Sequence, residues 1–98
     1  MQTVVPRSFS VEQNYPNPFN PATAISYYLP VEGHVTLRVY NILGQVMRTL
    51  VDEVRSAGDQ IEVWDGRSDE GGSLASGIYL YRLESGEQAY SRKMVLLK

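Results

Sequence analysis

Hydrophobic and polar residues alternate along most of the chain, and this period of two is typical of β-strands. Val35, Leu37 and Val39 fall on one face of such a strand, while Thr36 and Arg38 fall on the other. Further strands are predicted where hydrophobic and polar residues alternate or where turn residues end a segment. They are Phe9–Asn14, Thr23–Leu29, Gln45–Val51, Asp59–Trp64, Ile78–Glu84 and Gln88–Leu97. Short strands at this spacing predict an all-β sandwich of about seven antiparallel strands in two sheets.

One segment also fits a helix. Val46, Leu50, Val51 and Val54 would form an apolar stripe on a helix over residues 46–55. The segment is rich in β-branched residues and follows a glycine turn, and both features favour a strand. We therefore expect no helix in this chain.

Prolines and glycines predict the connections between the strands. Asn14–Pro21 contains three prolines separated by asparagines and aromatics, and we expect a rigid crossover because proline blocks both a helix and a central strand. Asn41–Gly44 predicts a tight turn with Gly44 at positive φ, and Ser85-Gly86 predicts a two-residue hairpin loop. Short strands separated by such turns predict a two-sheet sandwich, which we expect to be of the immunoglobulin-like type.

The length of 98 residues suits one domain. We expect residues 9–98 to form it, and residues 1–8 to be a disordered leader or the edge of an excised fragment. No stretch combines a basic start with an apolar run, so no signal peptide is predicted here. The longest apolar run, Met94–Leu97, falls far short of the about 20 residues that span a bilayer, so no membrane span is expected.

Charge and composition narrow the possible functions. The net charge of −2 argues against nucleic-acid binding, which needs a basic face. With no cysteine, the chain has no disulfide, thiol nucleophile or cysteine-based zinc site. The one histidine, His34, is expected to be an exposed residue at the start of a strand rather than a catalytic base. We predict no catalytic residue, no cofactor and no enzyme activity.

One loop offers candidate ligands for a metal ion. Asp65, Asp69 and Glu70 share a glycine-rich loop, and carboxylate oxygens there could hold Ca²⁺. The spacing does not match an EF-hand, and Arg67 places a cation among the acids. The alternative is a solvated turn whose aspartates accept hydrogen bonds from nearby backbone N–H groups.

Tyrosines raise the possibility of sugar binding, because exposed rings can stack on pyranose faces. Tyr27, Tyr28, Tyr79 and Tyr81 are the best candidates. Neighbouring residues of a strand point to opposite sides, so at least one of Tyr27 and Tyr28 is expected in the core. Tyr79 and Tyr81 share a face, where packing is the favoured role. Trp64, before an Asp-Gly turn, is expected to anchor the core.

The last strand combines basic and apolar residues. Ser91–Lys98 is either a closing edge strand whose cations discourage aggregation, or a recognition element at the chain end.

Several sequence blocks resemble those of one known family, in the same order: Asn14–Pro21, Val35–Gln45, Val63–Arg67, Ala75–Leu83 and Arg92–Met94. The series is similar to the C-terminal sorting domains of the type IX (Por) secretion system, over about residues 9–98. It also resembles the related immunoglobulin-like domain of flagellar hook-capping proteins, in which the Trp64-Asp65-Gly66 block is prominent.

The resemblance implies a recognition role for particular residues. Sorting domains end exported bacterial proteins, often large hydrolases, and direct them across the outer membrane. They are commonly removed or exchanged for a surface lipopolysaccharide anchor. The signal of the family maps here onto Gly77, Tyr79, Arg92, Lys93, Met94, Val95, Leu96, Leu97 and Lys98, and its opening motif onto Tyr15, Pro16, Asn17 and Pro18.

Three functions therefore remain under consideration. The favoured one is a non-catalytic module for secretion and cell-surface attachment, whose partner is a secretion protein of the outer membrane. The second is a carbohydrate-binding or spacer module of a multi-modular glycoside hydrolase, which predicts a flat row of exposed tyrosines. The third is a structural protein–protein module like that of hook-capping proteins.

Overall fold

The computed structural model describes residues 7–98 and contains strands but no helix within them. The strands are β1 (Ser10–Val11), β2 (Thr23–Leu29), β3 (Gly33–Tyr40), β4 (Val46–Arg55), β5 (Gly58–Trp64), β6 (Gly77–Ser85) and β7 (Gln88–Leu96). They form two antiparallel sheets, with strand orders β1-β2-β5 and β4-β3-β6-β7. The predicted all-β sandwich of seven strands in two sheets is confirmed.

The core lies between the sheets and consists mainly of alternate residues of β2, β3, β6 and the end of β7. Val35, Leu37 and Val39 are fully buried, as their alternation predicts, and Trp64 is the largest buried side chain. The indole of Trp64 packs against Phe19, with ring centroids 5.5 Å apart. Phe19 belongs to the proline-rich crossover, so the crossover contributes to the core as well as connecting strands.

β4 is longer than predicted and irregular. Its register against β3 shifts between Leu37 and Arg38, and again between Val39 and Tyr40. An extra residue in one strand interrupts the alternation of its side chains. The irregular spacing explains why this segment also fitted a helical stripe.

The first predicted strand is shorter than expected. Only Ser10–Val11 is paired as a strand, with Val11 opposite Tyr27. Pairing with β2 then slips by one residue and resumes as a single bridge between Tyr15 and Ala24. The slip interrupts the ladder that the predicted strand Phe9–Asn14 would have formed.

Two glycine turns lie within one residue of their predicted positions. Gly44 has a φ of 82°, as predicted, and its N–H donates to the carbonyl of Asn41 at 3.0 Å. The β6–β7 hairpin pairs Ser85 with Gln88, so its loop is residues 86–87, one position later than predicted.

The predicted leader over residues 1–8 lies largely outside the described residues. Of its last two residues, Arg7 contacts the sandwich. The guanidinium carbon of Arg7 lies 3.8 Å from the ring centroid of Tyr28, and an Arg7 nitrogen lies 3.1 Å from a carboxylate oxygen of Asp59.

Three tyrosine hydroxyls are held in or beside the core. Burial raises the pKa of Tyr27, Tyr79 and Tyr81 above the usual 10.0. A hydrogen bond from the backbone of Asn14 and the charge of Arg92 oppose the rise of the pKa of Tyr81. The neutral phenol is therefore the form that the folded state favours.

Alkaline pH is expected to unfold the domain. The folded pKa of each phenol is raised, so its stabilising contribution is complete below the unfolded pKa and is lost as pH rises through the folded one. The melting temperature should be steady at neutral pH and fall above about pH 10. Melting followed by circular dichroism, with tyrosinate absorbance in parallel, checks this. Tyr27→Phe should weaken the fall, and a melting temperature that is flat through strongly alkaline pH contradicts the prediction.

Candidate recognition surface

The proline-rich crossover is hydrogen-bonded to the end of the last strand. Phe19 donates its N–H to the carbonyl of Val95 at 2.9 Å, and its carbonyl accepts from the N–H of Leu97 at 3.0 Å. Asn17 adds a side-chain contact, since its Oδ1 accepts from the N–H of Val95 at 2.9 Å. We call this contact between residues 17–19 and 95–97 the clasp. It joins segments that are nearly 80 residues apart in sequence.

A buried polar group fixes the start of the crossover. Asn14 is almost fully buried, and its Nδ2 donates to the carbonyl of Pro16 at 3.1 Å and to Oγ1 of Thr23 at 3.0 Å. The hydroxyl of Thr23 donates to the same Pro16 carbonyl at 2.8 Å. Because these groups satisfy one another, the crossover is ordered without belonging to a sheet. Tyr15, between Asn14 and Pro16, points to solvent.

The residues assigned to recognition by resemblance divide into buried and exposed sets. The buried ones are Tyr79, Met94 and Leu96. The exposed ones are Tyr15, Pro16, Asn17, Pro18, Arg92, Lys93, Leu97 and Lys98. Val95 and Gly77 are half-buried. A partner can therefore touch only part of the set without unfolding the domain.

The start of β6 lies beside the chain end. The hydroxyl of Tyr79 donates to the carbonyl of Ala75 at 2.7 Å, which ties the loop before β6 to the core. The N–H of Lys98 donates to Oγ of Ser76 at 2.9 Å. Gly77 pairs with Leu96. These contacts hold the start of β6 against the end of β7, next to the clasp.

Two of the three candidate calcium ligands accept hydrogen bonds from backbone N–H groups. Asp65 accepts from the N–H of Arg67 at 3.1 Å, and Asp69 accepts from the N–H of Thr49 at 3.0 Å. Among residues 7–98, no three or more His, Asp or Glu side chains are arranged to hold a metal ion. The Asp65 bond lies within the loop, as the alternative interpretation expects, whereas the partner of Asp69 belongs to β4. Glu70 is exposed at the tip of the same loop.

Gly66 allows that loop to pack against the clasp. Its φ is 77°, and a Cβ there would lie 3.1 Å from the carbonyl oxygen of Pro21 and 3.7 Å from the side chain of Leu96. A side chain at this position would meet both the crossover and β7. The Trp64-Asp65-Gly66 block therefore serves packing at this end of the sandwich, with the Trp64 Nε1 donating to the carbonyl of Arg67 at 2.9 Å.

Sequence reasoning missed an exposed apolar surface beside the clasp. Ile42 and Leu43, in the β3–β4 turn, are 75% and 78% exposed, and Ile78 is 52% exposed. Val46 and Leu97 are also exposed and lie at the same end of the sandwich, and we call these five residues the apolar patch. An open groove of about 410 Å³ runs along it between the turn and the start of β6. The only sequence signal was two large aliphatic residues inside a tight turn.

The groove also passes residues that were expected to act in recognition. Gly77 and Tyr79 contribute to its wall together with Ile42, Ile78 and the polar Asn41 and Ser76. The apolar patch, the clasp and the chain end thus share one end of the sandwich.

No helix in the described residues is long and apolar enough to cross a membrane.

The sequence profile of one family, described as the secretion system C-terminal sorting domain, matches residues 13–97. The chain belongs to this family. The resemblance to type IX sorting domains is thereby confirmed, and membership implies sorting by that system to the cell surface or the medium. No curated protein matches the chain in sequence.

Solved structures share the fold of this sorting domain. Dimeric latent PorU from Porphyromonas gingivalis is similar with a TM-score of 0.75 and 18% identity, over 93% of this chain and 10% of that one. PorZ of the same organism, a surface component of the type IX system, gives 0.61 and 14%, over 92% and 11%. FlgD from P. aeruginosa gives 0.61 and 23%, over 76% and 59%. The sorting domain thus spans about a tenth of the PorU and PorZ chains.

Proposed function

We propose that this sorting domain is a non-catalytic module that carries a larger exported protein to a type IX secretion protein of the outer membrane. The match of the family over residues 13–97 carries the proposal. A hydrolase as the parent protein, and attachment to surface lipopolysaccharide after export, belong to the proposal through the family resemblance alone.

The surface chemistry supports binding rather than catalysis. His34 is exposed on the outer face of β3 and lies 2.6 Å from a carboxylate oxygen of Asp52. No serine, threonine or tyrosine hydroxyl of the described residues is hydrogen-bonded to the ring of His34, as a nucleophile paired with its base would be. The clasp end exposes the apolar side chains of Ile42, Leu43 and Leu97, which suits contact with another protein.

We further propose that the secretion protein contacts the apolar patch. Ile42 and Leu43 are about three-quarters exposed at the tip of a hydrogen-bonded turn, where burial in the core is not available to them. Large aliphatic residues clustered on a surface mark interaction sites more often than isolated ones do. The clasp holds the chain end beside this surface, so one partner can contact both.

Replacement of Ile42 by glutamate is expected to reduce secretion without unfolding the domain. The test protein is a fusion of a signal peptide, a reporter and this domain, in that order. With Ile42→Glu, the amount of reporter in the medium should fall at least about tenfold, because a buried aliphatic contact is worth about 1.5–3 kcal/mol. Secretion is measured in a host with a type IX system, and melting of the purified domain is measured beside it.

Val31→Glu is the matched control for this experiment. Val31 is 71% exposed and lies in the β2–β3 turn at the opposite end of the sandwich. The control should be secreted like the parent. Equal secretion of Ile42→Glu and Val31→Glu would show that the apolar patch is not the contact surface.

The structure gives the carbohydrate-binding alternative little support. Three of its four candidate tyrosines, Tyr27, Tyr79 and Tyr81, are buried in the core. Tyr28 is half-buried, and the guanidinium of Arg7 covers its ring. The four rings do not form the flat exposed row that stacking on a sugar chain requires.

A further inference from the structure

One edge of the four-stranded sheet is closed only along part of its length. β7 is the edge strand, and the clasp shows which of its backbone groups point outward. Val95 and Leu97 bond to Phe19, and the carbonyl of Lys93 accepts from Nε2 of Gln13 at 2.7 Å. The outward groups therefore belong to odd-numbered residues, because backbone direction alternates along a strand.

The remaining outward groups of β7 form an open stretch. The register of β7 against β6 is continuous, so Ala89 and Ser91 also point outward, as does the N–H of Lys93. The described residues provide no hydrogen-bond partner for these N–H and carbonyl groups. We call residues 89–93 the open edge. An unpaired strand edge is a template for another strand.

The open edge has a groove beside it and carries positive charge. An opening of about 220 Å³ separates it from β1 and is lined by Phe9, Val11, Tyr90 and Arg92 among others. Arg92 Nε donates to the carbonyl of Val11 at 2.7 Å, which fixes the guanidinium beside the groove. Neither Arg92 nor Lys93 forms an ion pair with a carboxylate of the described residues.

These charges discriminate between possible occupants. A second copy pairing β7 with β7 would gather the Arg92 and Lys93 side chains of both chains along one short ladder without adding a carboxylate there, which is electrostatically unfavourable. An acidic segment would instead bring the missing carboxylates. The rings of Phe9 and Tyr90, with centroids 5.4 Å apart, offer its apolar side chains a contact surface.

We propose that the open edge binds an extended, acidic segment of a partner protein, which adds to β7 as a further strand. The proposal rests on the proposed function, because it names a second contact made by the same secretion partner. The open edge continues directly from the clasp along β7, and the clasp includes Leu97 of the apolar patch, so a partner that follows β7 can contact both.

Proline at position 91 tests the backbone contact. The N–H of Ser91 points outward, so Ser91→Pro removes an edge donor and leaves the β6–β7 ladder intact, as proline is tolerated at a strand edge. Ser91→Thr keeps the N–H and is the matched control. Secretion of the reporter fusion should fall at least about tenfold with proline, which is the equivalent of one or two lost hydrogen bonds. Secretion should stay unchanged with threonine. Lys93→Glu, which alters charge without touching the backbone, should also lower secretion.

A direct binding measurement accompanies the secretion assay. A short synthetic peptide of alternating valine and glutamate should shift the amide NMR signals of Ala89, Ser91 and Lys93 and slow their hydrogen exchange. A valine–lysine peptide should do neither. Equal effects of both peptides, no effect of either, or dimerisation through β7 in sedimentation would overturn the proposal.

The outcomes separate the two proposals. If the unmodified fusion stays in the periplasm, the sorting function itself fails. If the unmodified fusion, Ser91→Pro and Lys93→Glu are all secreted alike, sorting stands and the open edge is not the contact. Should Ser91→Pro melt far below the parent, Ala89→Pro and Lys93→Glu replace it in the same comparison.

Discussion

Truncation after Ser91 is expected to leave the domain unfolded at physiological temperature. The removed segment contains Met94 and Leu96, which are both fully buried. Emptying such a site costs about 2–5 kcal/mol. The truncation also removes the clasp and part of the β6–β7 ladder. A domain of this size has about 5–15 kcal/mol of stability in total, so little would remain.

Circular dichroism and amide NMR dispersion check this expectation. Truncation after Leu96 is the matched control, since it removes only the exposed Leu97 and Lys98 and a few hydrogen bonds. The control should fold and lose about 1–2 kcal/mol. A cooperative melt of the longer truncation near that of the parent would contradict the prediction.

This expectation changes how deletions of a terminal signal are interpreted. Loss of secretion after removing residues 92–98 would follow from unfolding alone, whether or not a partner reads those residues. Substitutions at exposed positions such as Lys93 and Leu97 separate the two causes, because they leave Met94 and Leu96 in the core. If the truncated domain unfolds as expected, a terminal deletion tests folding and recognition together, and only substitutions at exposed positions test recognition by itself.

The sequence predicted what depends on local periodicity. Strict alternation placed Val35, Leu37 and Val39 in the core, and an isolated glycine placed the turn at Gly44. The extent of β4 was predicted less well, because its two register shifts against β3 depend on the partner strand. A bulge has no distinctive composition, and the segment 46–55 alone does not show where its partner strand skips a residue.

The candidate site depended on contacts that local patterns do not contain. The clasp is formed by Asn17 and Phe19 meeting Val95 and Leu97, and nothing near either segment specifies the other. The basic-apolar end was interpreted as one recognition element, yet alternation divides it into buried Met94 and exposed Lys93. The family resemblance identified the segments, and the fold determines which side chains a partner can reach.

Tyr81→Phe is expected to destabilise the domain by about 2–4 kcal/mol, because the hydroxyl satisfies two backbone groups at once. It donates to the carbonyl of Glu12 at 2.6 Å and accepts from the N–H of Asn14 at 2.9 Å. Phenylalanine fills the same space but leaves both groups without a partner. Since Asn14 begins the crossover, the loss should also loosen the attachment of the clasp.

Phenylalanine substitutions at two other tyrosines provide a comparison for the loss of stability at Tyr81. The free energy of unfolding of each variant is measured by urea denaturation. Tyr79 makes one hydroxyl bond, to Ala75, and its removal should cost about 1 kcal/mol. The buried hydroxyl of Tyr27 has no partner among the described residues, so Tyr27→Phe should be neutral or stabilising. Equal losses at all three positions would show that ring packing outweighs the hydroxyl bonds. The predicted order would show that the Tyr81 hydroxyl couples the core to the crossover, and through the crossover to the clasp.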